Sequence, residues 1–420
     1  MLPYDKSSDK YQSLVKAVCN YVTSGLAPIF TVDKPAFRQL LKALDPRFNC
    51  PSRNHFSSVV IPEMYSDMKS SLVSKLSDIK SFSCTMDGWS SLAGDPYLSL
   101  TIHFINNDWK IETACLSTMY VPESHTGDNL CEFVREGLLE YGLYTGQMIA
   151  MTTDAAANNI SACRKLSARR VSCFGHILHN ALCTTFSKSE EITCLLKSAR
   201  KIVSVFSYSS INRQQLLKIK KELKIDAKSL VQDVSTRWGS KFKMLSRLLE
   251  QLPAVDQLFV NNRKHRDLML SFAQKDLLTD TVNALRPFSD LTDLLSGDTM
   301  VTISSVTPML CHIQELCKTT EDSTQIEKTI KDGVWAYITR RFDDERVNLF
   351  YAAATVLDRR FCYQPPGIDS WPEEDDVKDF IVEMATPPAP TPSTGTPPDP
   401  PLSSEETTSH TPAEHHTGGK

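Results

Sequence analysis

The chain has 420 residues, enough for two or three domains, and its 41% hydrophobic and 23% charged residues are ordinary for a globular protein. The formal net charge of −4 excludes a uniformly basic nucleic-acid binder, so any contact with DNA has to come from local basic patches. No run approaches the roughly 20 apolar residues of a membrane span, and the polar N-terminus lacks the pattern of a secretory signal, so we expect no membrane partner. The twelve cysteines include no Cys-x-x-Cys pair, which predicts reduced thiols and argues against an ordinary zinc finger.

Residues 1–80 are predicted to be helical, because apolar residues recur there at helical spacing. The three apolar faces are Leu14, Ala17, Val18, Tyr21 and Val22; Phe37, Leu40, Leu41 and Leu44; and Met64, Met68, Leu72 and Leu76. The second helix is expected to stop at Asp45-Pro46. An N-terminal helical segment therefore precedes the first predicted strand.

Alternating and short apolar runs then predict strands near 82–86, 98–104, 109–121, 148–151 and 170–173. Helices are predicted over 130–141, 158–168 and 176–186, between and after the later strands. Three antiparallel strands followed by alternating helices and strands indicate a mixed sheet flanked by helices, of class α/β (α+β). This is the element order of the RNase H-like fold.

The remainder of the chain divides into a helical part and a tail. Residues 190–350 show helical periodicity throughout. Residues 385–420 are rich in Pro, Thr, Ser and Glu and nearly devoid of large apolar groups. Such a segment cannot bury enough apolar surface to offset its ordering entropy, so we predict that it is disordered.

Two aspartates are the candidate catalytic and metal-binding residues. Asp87 lies in a Met-Asp-Gly-Trp motif and Asp154 in a Thr-Thr-Asp motif, and each follows a predicted strand. Carboxylates at neighbouring strand ends can hold Mg²⁺ or Mn²⁺ through hard oxygen ligands, and two such ions can promote phosphodiester cleavage. The alternative is that each aspartate only forms a turn or caps a helix.

Cys173 and His176 form a Cys-x-x-His motif that allows two interpretations. It could be half of a zinc site, but no second half has suitable spacing. The favoured interpretation is structural: Cys173 belongs to the core, His176 hydrogen-bonds locally, and no zinc is expected in this chain.

The candidate DNA contacts lie in the helical part. Arg237 could bind a phosphate and Trp238 could stack on a base, although most tryptophans are simply core residues. Ser235 or Thr236 could cap the helix that follows. A basic cluster, Arg263, Lys264 and Arg266, and the face 218–224 could add further phosphate contacts, or could be only solvated surfaces.

Taken in order, these motifs resemble those of hAT-superfamily DNA transposases, and of the transposase-derived part of BED-type zinc-finger proteins. The resemblance covers about residues 10–362. It identifies Asp87 and Asp154 with the family's first two catalytic aspartates, Cys173 and His176 with its Cys-x-x-His motif, and Arg237-Trp238 with an Arg-Trp motif implicated near the DNA end. It implies an N-terminal helical segment (1–80), an RNase H-like core (81–190), an all-α insertion domain (191–350), a partial return segment (351–384) and the tail (385–420).

The chain also departs from the family pattern. The family's BED finger is not found, and the glutamate of its C-terminal Ser-Glu-Arg-x-Phe-Ser motif, the third metal ligand, has no counterpart here. Glu345 occurs in a similar triplet but lies before Leu357-Asp358 rather than well after it. Dimerisation is therefore not expected without the family's C-terminal segment.

We predict a transposase-derived nuclear protein without strand-cleaving activity. It would bind DNA weakly and in a salt-sensitive way, or bind chromatin partners, and regulate transcription. One alternative is an active transposase fragment whose C-terminal segment is supplied elsewhere. The other is a protein-interaction scaffold with no role on DNA.

Overall fold

The N-terminal segment is a small helical unit with its own core. The computed structural model describes residues 2–91, 93–226, 228–234, 237–295 and 303–385. The first helices are α1 (Asp9–Thr23), α2 (Pro35–Leu44), α3 (Arg53–His55) and, after a π turn, α4 (Ile61–Leu76). Apolar residues spaced along α1 pack against Phe48 and Phe56 in one hydrophobic cluster. The helical prediction for this segment agrees with the structure.

A five-stranded mixed sheet follows, as the alternating pattern predicts. Its strands are β1 (Phe82–Ser90), β2 (Pro96–Ile105), β3 (Ile111–Tyr120), β4 (Met148–Thr153) and β5 (Arg170–Ser172). The strand order is β3-β2-β1-β4-β5. The β1–β2 and β2–β3 pairs are antiparallel, whereas β1–β4 and β4–β5 are parallel. The predicted RNase H-like mixed sheet with helices is therefore confirmed.

Helices cover both faces of the sheet. They are α5 (Gly127–Leu139), α6 (Ala157–Lys165) and α7 (Phe174–Lys188). On β4, Met151 belongs to the hydrophobic cluster that includes Val134 and Leu138 of α5. The neighbouring Ala150 belongs instead to the cluster that contains α7. The central strand β4 is thus buried on both sides, which accounts for its continuous apolar run.

The described residues of the helical part form six longer helices. They are α8 (Glu190–Ser207), α9 (Ser210–Glu222), α10 (Trp238–Asn261), α11 (Phe272–Leu295), α12 (Val306–Cys317) and α13 (Gln325–Thr339). Their buried residues form one hydrophobic cluster with α7 and with Ala150 and Val171 of the sheet. The helices are therefore continuous with the core of the sheet, and the packing has no break at residue 190.

Two further helices bring the chain back to the sheet. They are α14 (Glu345–Val356) and α15 (Glu374–Ala385). The hydroxyl of Tyr351, on α14, donates a hydrogen bond to the Ser172 carbonyl of β5 at 3.0 Å. None of the described helices is long and apolar enough to cross a membrane. Residues 296–302 and 386–420, which include nearly all of the predicted tail, lie outside the described residues.

Candidate functional site

The two candidate aspartates lie at the same edge of the sheet. β1 and β4 run parallel, and Thr85 pairs with Thr152. Asp87 and Asp154 each lie two positions further along, Asp154 just after the last residue of β4. Both line one cavity of about 260 Å³. The parallel pairing thus brings together two acids that are far apart in the sequence.

Local hydrogen bonds fix the Asp154 carboxylate. Its Oδ1 accepts a hydrogen bond from the Asn159 side-chain amide at 2.6 Å and another from the Ala156 backbone N–H at 2.9 Å. Asp154 therefore organises the turn into α6, as the alternative interpretation predicted for a residue after a strand. Both of these hydrogen bonds go to Oδ1, no described residue donates one to Oδ2, and Asp154 lines the cavity.

The donor set around the cavity is small for a catalytic metal centre. Asp87 and Asp154 are the only carboxylates among the described residues that line it. No group of three or more His, Cys, Asp or Glu side chains suited to a metal ion occurs in the part of the chain that the structure describes. Two carboxylates fit one hard divalent cation that keeps much of its water. Glu345, at the start of α14, does not line this cavity.

Two cavity residues were not singled out from the sequence. His125 donates from Nε2 to the Val121 carbonyl (3.2 Å), and its own carbonyl accepts from Asn158 Nδ2 (2.8 Å). Trp89 stacks on Tyr97 with ring centroids 5.8 Å apart. The position of His125, in a polar loop before α5, carries no sequence signal, whereas Trp89 stands in the same motif as Asp87.

The Cys-x-x-His motif lies against the acid pair. The Cys173 backbone N–H donates to the Thr153 carbonyl at 2.9 Å, which fixes the start of α7 beside β4. A hydrogen bond with the Cys173 thiol raises the pKa of His176, and the carboxylates of Asp154 and Asp87 raise it further, against the effect of burial. Burial alone would raise the pKa of Cys173, but the hydrogen bonds and charge of His176 outweigh it and lower the pKa. The Cys-x-x-His motif is therefore hydrogen-bonded to the end of β4, and its histidine interacts electrostatically with the two aspartates.

The structure separates the two residues of the Arg-Trp motif. Arg237 is exposed at the N-cap position of α10 and makes no capping hydrogen bond. The Trp238 side chain is 3% exposed and packs in the helical core, with its ring 6.4 Å from that of Phe242. Of the two alternatives that the sequence left open for Trp238, base stacking or a place in the core, this burial corresponds to the second. Ser235 and Thr236, the predicted caps, lie outside the described residues.

The predicted basic surfaces do not form one patch. Arg263, Lys264 and Arg266 follow the C-terminal end of α10, whereas Arg237 is at its start. A helix of 24 residues puts about 36 Å between these two ends. The face 218–224 is partly structural, since Lys220 is 3% exposed and its Nζ donates to Gln251 Oε1 at 2.9 Å. Of these predicted contacts, Arg237 is the one whose charge reaches α7, where it contributes to lowering the pKa of His179, although burial is the largest cause of that shift.

This chain is similar to known proteins over both its sheet and its helical part. A family model described as the ZBED1 RNase-like domain matches residues 85–177, and one described as the ZBED1 RNase-like helical domain matches residues 171–284. The human zinc finger BED domain-containing protein 4 is 24% identical over 85% of this chain and 32% of its own length. A putative AC transposase of Zea mays is 27% identical over 80% of this chain and 43% of its own length. A putative transcriptional regulator, tpeD, of Talaromyces stipitatus is 25% identical over 70% of this chain and 39% of its own length.

The chain spans about a third to two-fifths of the length of these three relatives. Asp87, Asp154, Cys173 and His176 all fall within the first matched domain. Arg237 falls within the second, whose match begins at β5. The second match thus begins at the strand whose residue Val171 shares one hydrophobic cluster with the helices.

Proposed function

Because the chain belongs to the BED-type protein family derived from hAT transposases, we propose that it is a nuclear DNA-binding protein that does not cut DNA. Its biological role would be the regulation of transcription, with chromatin proteins as further partners. A relative named as a putative transcriptional regulator supports the proposed role in transcription.

One observation carries the proposal: Asp87 and Asp154 face one cavity at the edge of the sheet, and no other carboxylate of the described residues lines it. A carboxylate pair with hydrated Mg²⁺ or Mn²⁺ can attract a backbone phosphate. Two-ion cleavage additionally requires ligands that fix both ions relative to the attacking water and the leaving oxygen. Misplacement by about 1 Å can cost on the order of a hundredfold in rate. Binding without cleavage is therefore the chemistry that two acids support.

Phosphate contact is expected near Arg237, because its guanidinium is exposed at the start of α10, the helix that packs against α7. Arg263, Lys264 and Arg266 would contact DNA at a separate place, if the duplex extends that far along α10. With few phosphate contacts, the affinity is expected to be modest and to fall with rising salt.

The test is fluorescence anisotropy of a labelled 30-base-pair duplex with the full chain, at a series of KCl concentrations and with 5 mM MgCl₂. We expect saturable binding that weakens as salt increases, by about one power of ten in Kd per tenfold salt for each phosphate contact. Arg237→Gln should weaken binding and lower the salt slope by about one. Arg286→Gln, at an exposed position of α11, serves as the matched control. No saturable binding at low salt would contradict DNA recognition and favour a protein-interaction scaffold.

A further inference from the structure

The strand β3 is one edge of the sheet, and its outer side is open. It pairs with β2, and no backbone hydrogen bond joins it to any other element of the described residues. The opposite edge, β5, is instead contacted by α14, where the Tyr351 hydroxyl donates to the Ser172 carbonyl. An unpaired edge strand presents a row of N–H and C=O groups that can pair with another strand. The sheet can therefore be extended at β3.

Hydrogen bonds at the two ends of β3 show which of its backbone groups point outward. The Asn106 N–H donates to the Lys110 carbonyl at the hairpin (2.9 Å), and the Val121 N–H donates to the Pro96 carbonyl at the other end (3.0 Å). In an antiparallel ladder, residues that bond to the neighbouring strand alternate with residues that do not. Counted inward from both ends, the residues whose backbone groups point away from β2 are Ile111, Thr113, Cys115, Thr118 and Tyr120.

A β-bulge in the middle of β3 makes the strand self-complementary. The register against β2 skips Leu116, which is the extra residue of the bulge. Its carbonyl accepts a hydrogen bond from the buried Tyr141 hydroxyl at 3.0 Å, which holds the bulge against the core. The first and last side chains of a regular ten-residue strand lie on opposite faces of the sheet. The extra residue shifts this alternation by one, so Ile111 and Tyr120 share a face.

Two antiparallel copies of β3 can therefore pair over their whole length. Full overlap sets Ile111 opposite Tyr120 of the partner subunit. It also sets Thr113 opposite Thr118 of the partner subunit. In both pairs the two residues have outward backbone groups and share a face, as an antiparallel ladder requires. Aromatic–β-branched and Thr–Thr pairs across strands are favourable, so the match extends to the side chains.

The composition of β3 does not oppose this pairing. Edge strands are commonly protected by lysine or proline, and β3 contains neither. Its one charged side chain, Glu112, is bound by the Asn106 amide at 2.7 Å. Full overlap sets Glu112 opposite Met119 of the partner subunit, so no like charges meet. Ile111, Met119 and Tyr120 are more than half exposed in the single chain, and the second copy would cover them.

We propose that the outer edge of β3 is a dimer interface, at which two copies of this chain join their five-stranded sheets around a two-fold axis near Leu116. The expected lack of dimerisation concerned the family's C-terminal segment, whereas this interface uses only the sheet. The inference goes beyond DNA binding and does not depend on it. Strands lie about 4.8 Å apart, so the five spacings between the two copies of β1 place them about 24 Å apart. The dimer thus carries two copies of the acid pair on one face.

The test is sedimentation velocity of the full chain, from about 1 to 100 μM, for the unchanged protein and two double variants. Thr113→Glu with Thr118→Glu sets like charges opposite each other in both cross-strand pairs. Thr113→Lys with Thr118→Glu alters the same two exposed positions but sets opposite charges there. We expect the unchanged protein to dimerise as its concentration rises, and the first variant to dimerise at least about tenfold more weakly. The second should stay within about threefold of the unchanged protein, and both should keep its melting temperature.

A second measurement uses the unchanged protein and therefore does not depend on the folding of a variant. Backbone amide hydrogen exchange is followed by mass spectrometry at the lowest and highest of these concentrations. We expect the higher concentration to slow exchange over 111–120 at least about fivefold, since outward N–H groups become paired, and to leave 262–268 unchanged.

Three results would refute the dimer interface: a monomer at every concentration, a dimer that the two glutamates do not weaken, or exchange over 111–120 that ignores concentration. A chain that stays monomeric would leave the β3 edge to an extended peptide of another protein. Because DNA is absent from both measurements, none of these results bears on the proposed function.

Discussion

The Arg200–Asp233 ion pair gives a prediction whose size follows from its geometry. The Asp233 side chain is 2% exposed, that of Arg200 is 35% exposed, and the shortest of their three hydrogen bonds is 2.7 Å. Asp233→Asn removes the negative charge and keeps the shape. Breaking a fully buried pair costs about 3–5 kcal/mol, but Arg200 can regain water on its exposed side, so we expect a loss of about 2 kcal/mol.

The effect should depend on pH in a defined direction. Burial by itself would raise the pKa of Asp233, but the hydrogen bonds and charge of Arg200 outweigh it, so the pKa lies below its ordinary value. A carboxyl whose folded pKa is lowered stabilises the fold above its unfolded pKa of about 3.9, and this contribution is lost as pH falls through the folded pKa. The difference between Asp233→Asn and the unchanged protein should be constant from pH 7 to 5 and shrink below pH 4.

The assay is urea unfolding followed by tryptophan fluorescence at pH 7, 5, 4 and 3. Glu315→Gln is the matched control, because the Glu315–Lys318 pair is exposed on both sides and such pairs contribute about 0–1 kcal/mol. A loss below about 0.5 kcal/mol at pH 7, or a difference that grows as pH falls, would refute the account of this ion pair.

Three further substitutions test packing around the site. Trp238→Ala should destabilise the protein by about 3–5 kcal/mol in urea unfolding, as expected for a buried indole. A loss under about 1 kcal/mol would contradict the burial of this side chain. Tyr351→Phe removes the hydrogen bond to the Ser172 carbonyl and should cost about 1 kcal/mol by the same assay; an unchanged stability would mean that α14 is held without it. Gly127→Ala places a Cβ about 2.5 Å from the Ser161 Oγ, where α5 meets α6, and should lower stability by about 1–3 kcal/mol; a stabilised variant would contradict this close approach.

The sheet was predictable because its patterns are local. Buried Cys84 and Met86 alternate with less buried neighbours on β1, and Leu98 and Leu100 do so on β2, as a strand with one buried face requires. The same alternation predicted that Asp87 directly follows the strand at 82–86. That its neighbour in space is Asp154 required the topology, which only the resemblance to a family could supply.

The contacts of α7 with α10 could not be predicted in this way. An aromatic residue next to an arginine has the same local pattern whether it is buried or exposed, and the packing of α10 alone decides that Trp238 faces the core. Likewise, Lys241 looks like an ordinary helical lysine in the sequence. Its burial beside Cys183 and His179 arises from tertiary packing between segments far apart in the chain.

The central claim is that the acid pair binds metal and DNA without cutting the strand, and a nicking assay tests it most directly. Supercoiled plasmid is incubated with the full chain and Mg²⁺ or Mn²⁺, while binding is followed in parallel. We expect salt-sensitive binding, Mn²⁺ affinity that falls in Asp154→Asn, and no nicked product above the level of a protein-free control. Metal-dependent nicking that disappears in Asp87→Asn and Asp154→Asn would contradict the claim, and loss of the same activity in Glu345→Gln would identify the missing ligand.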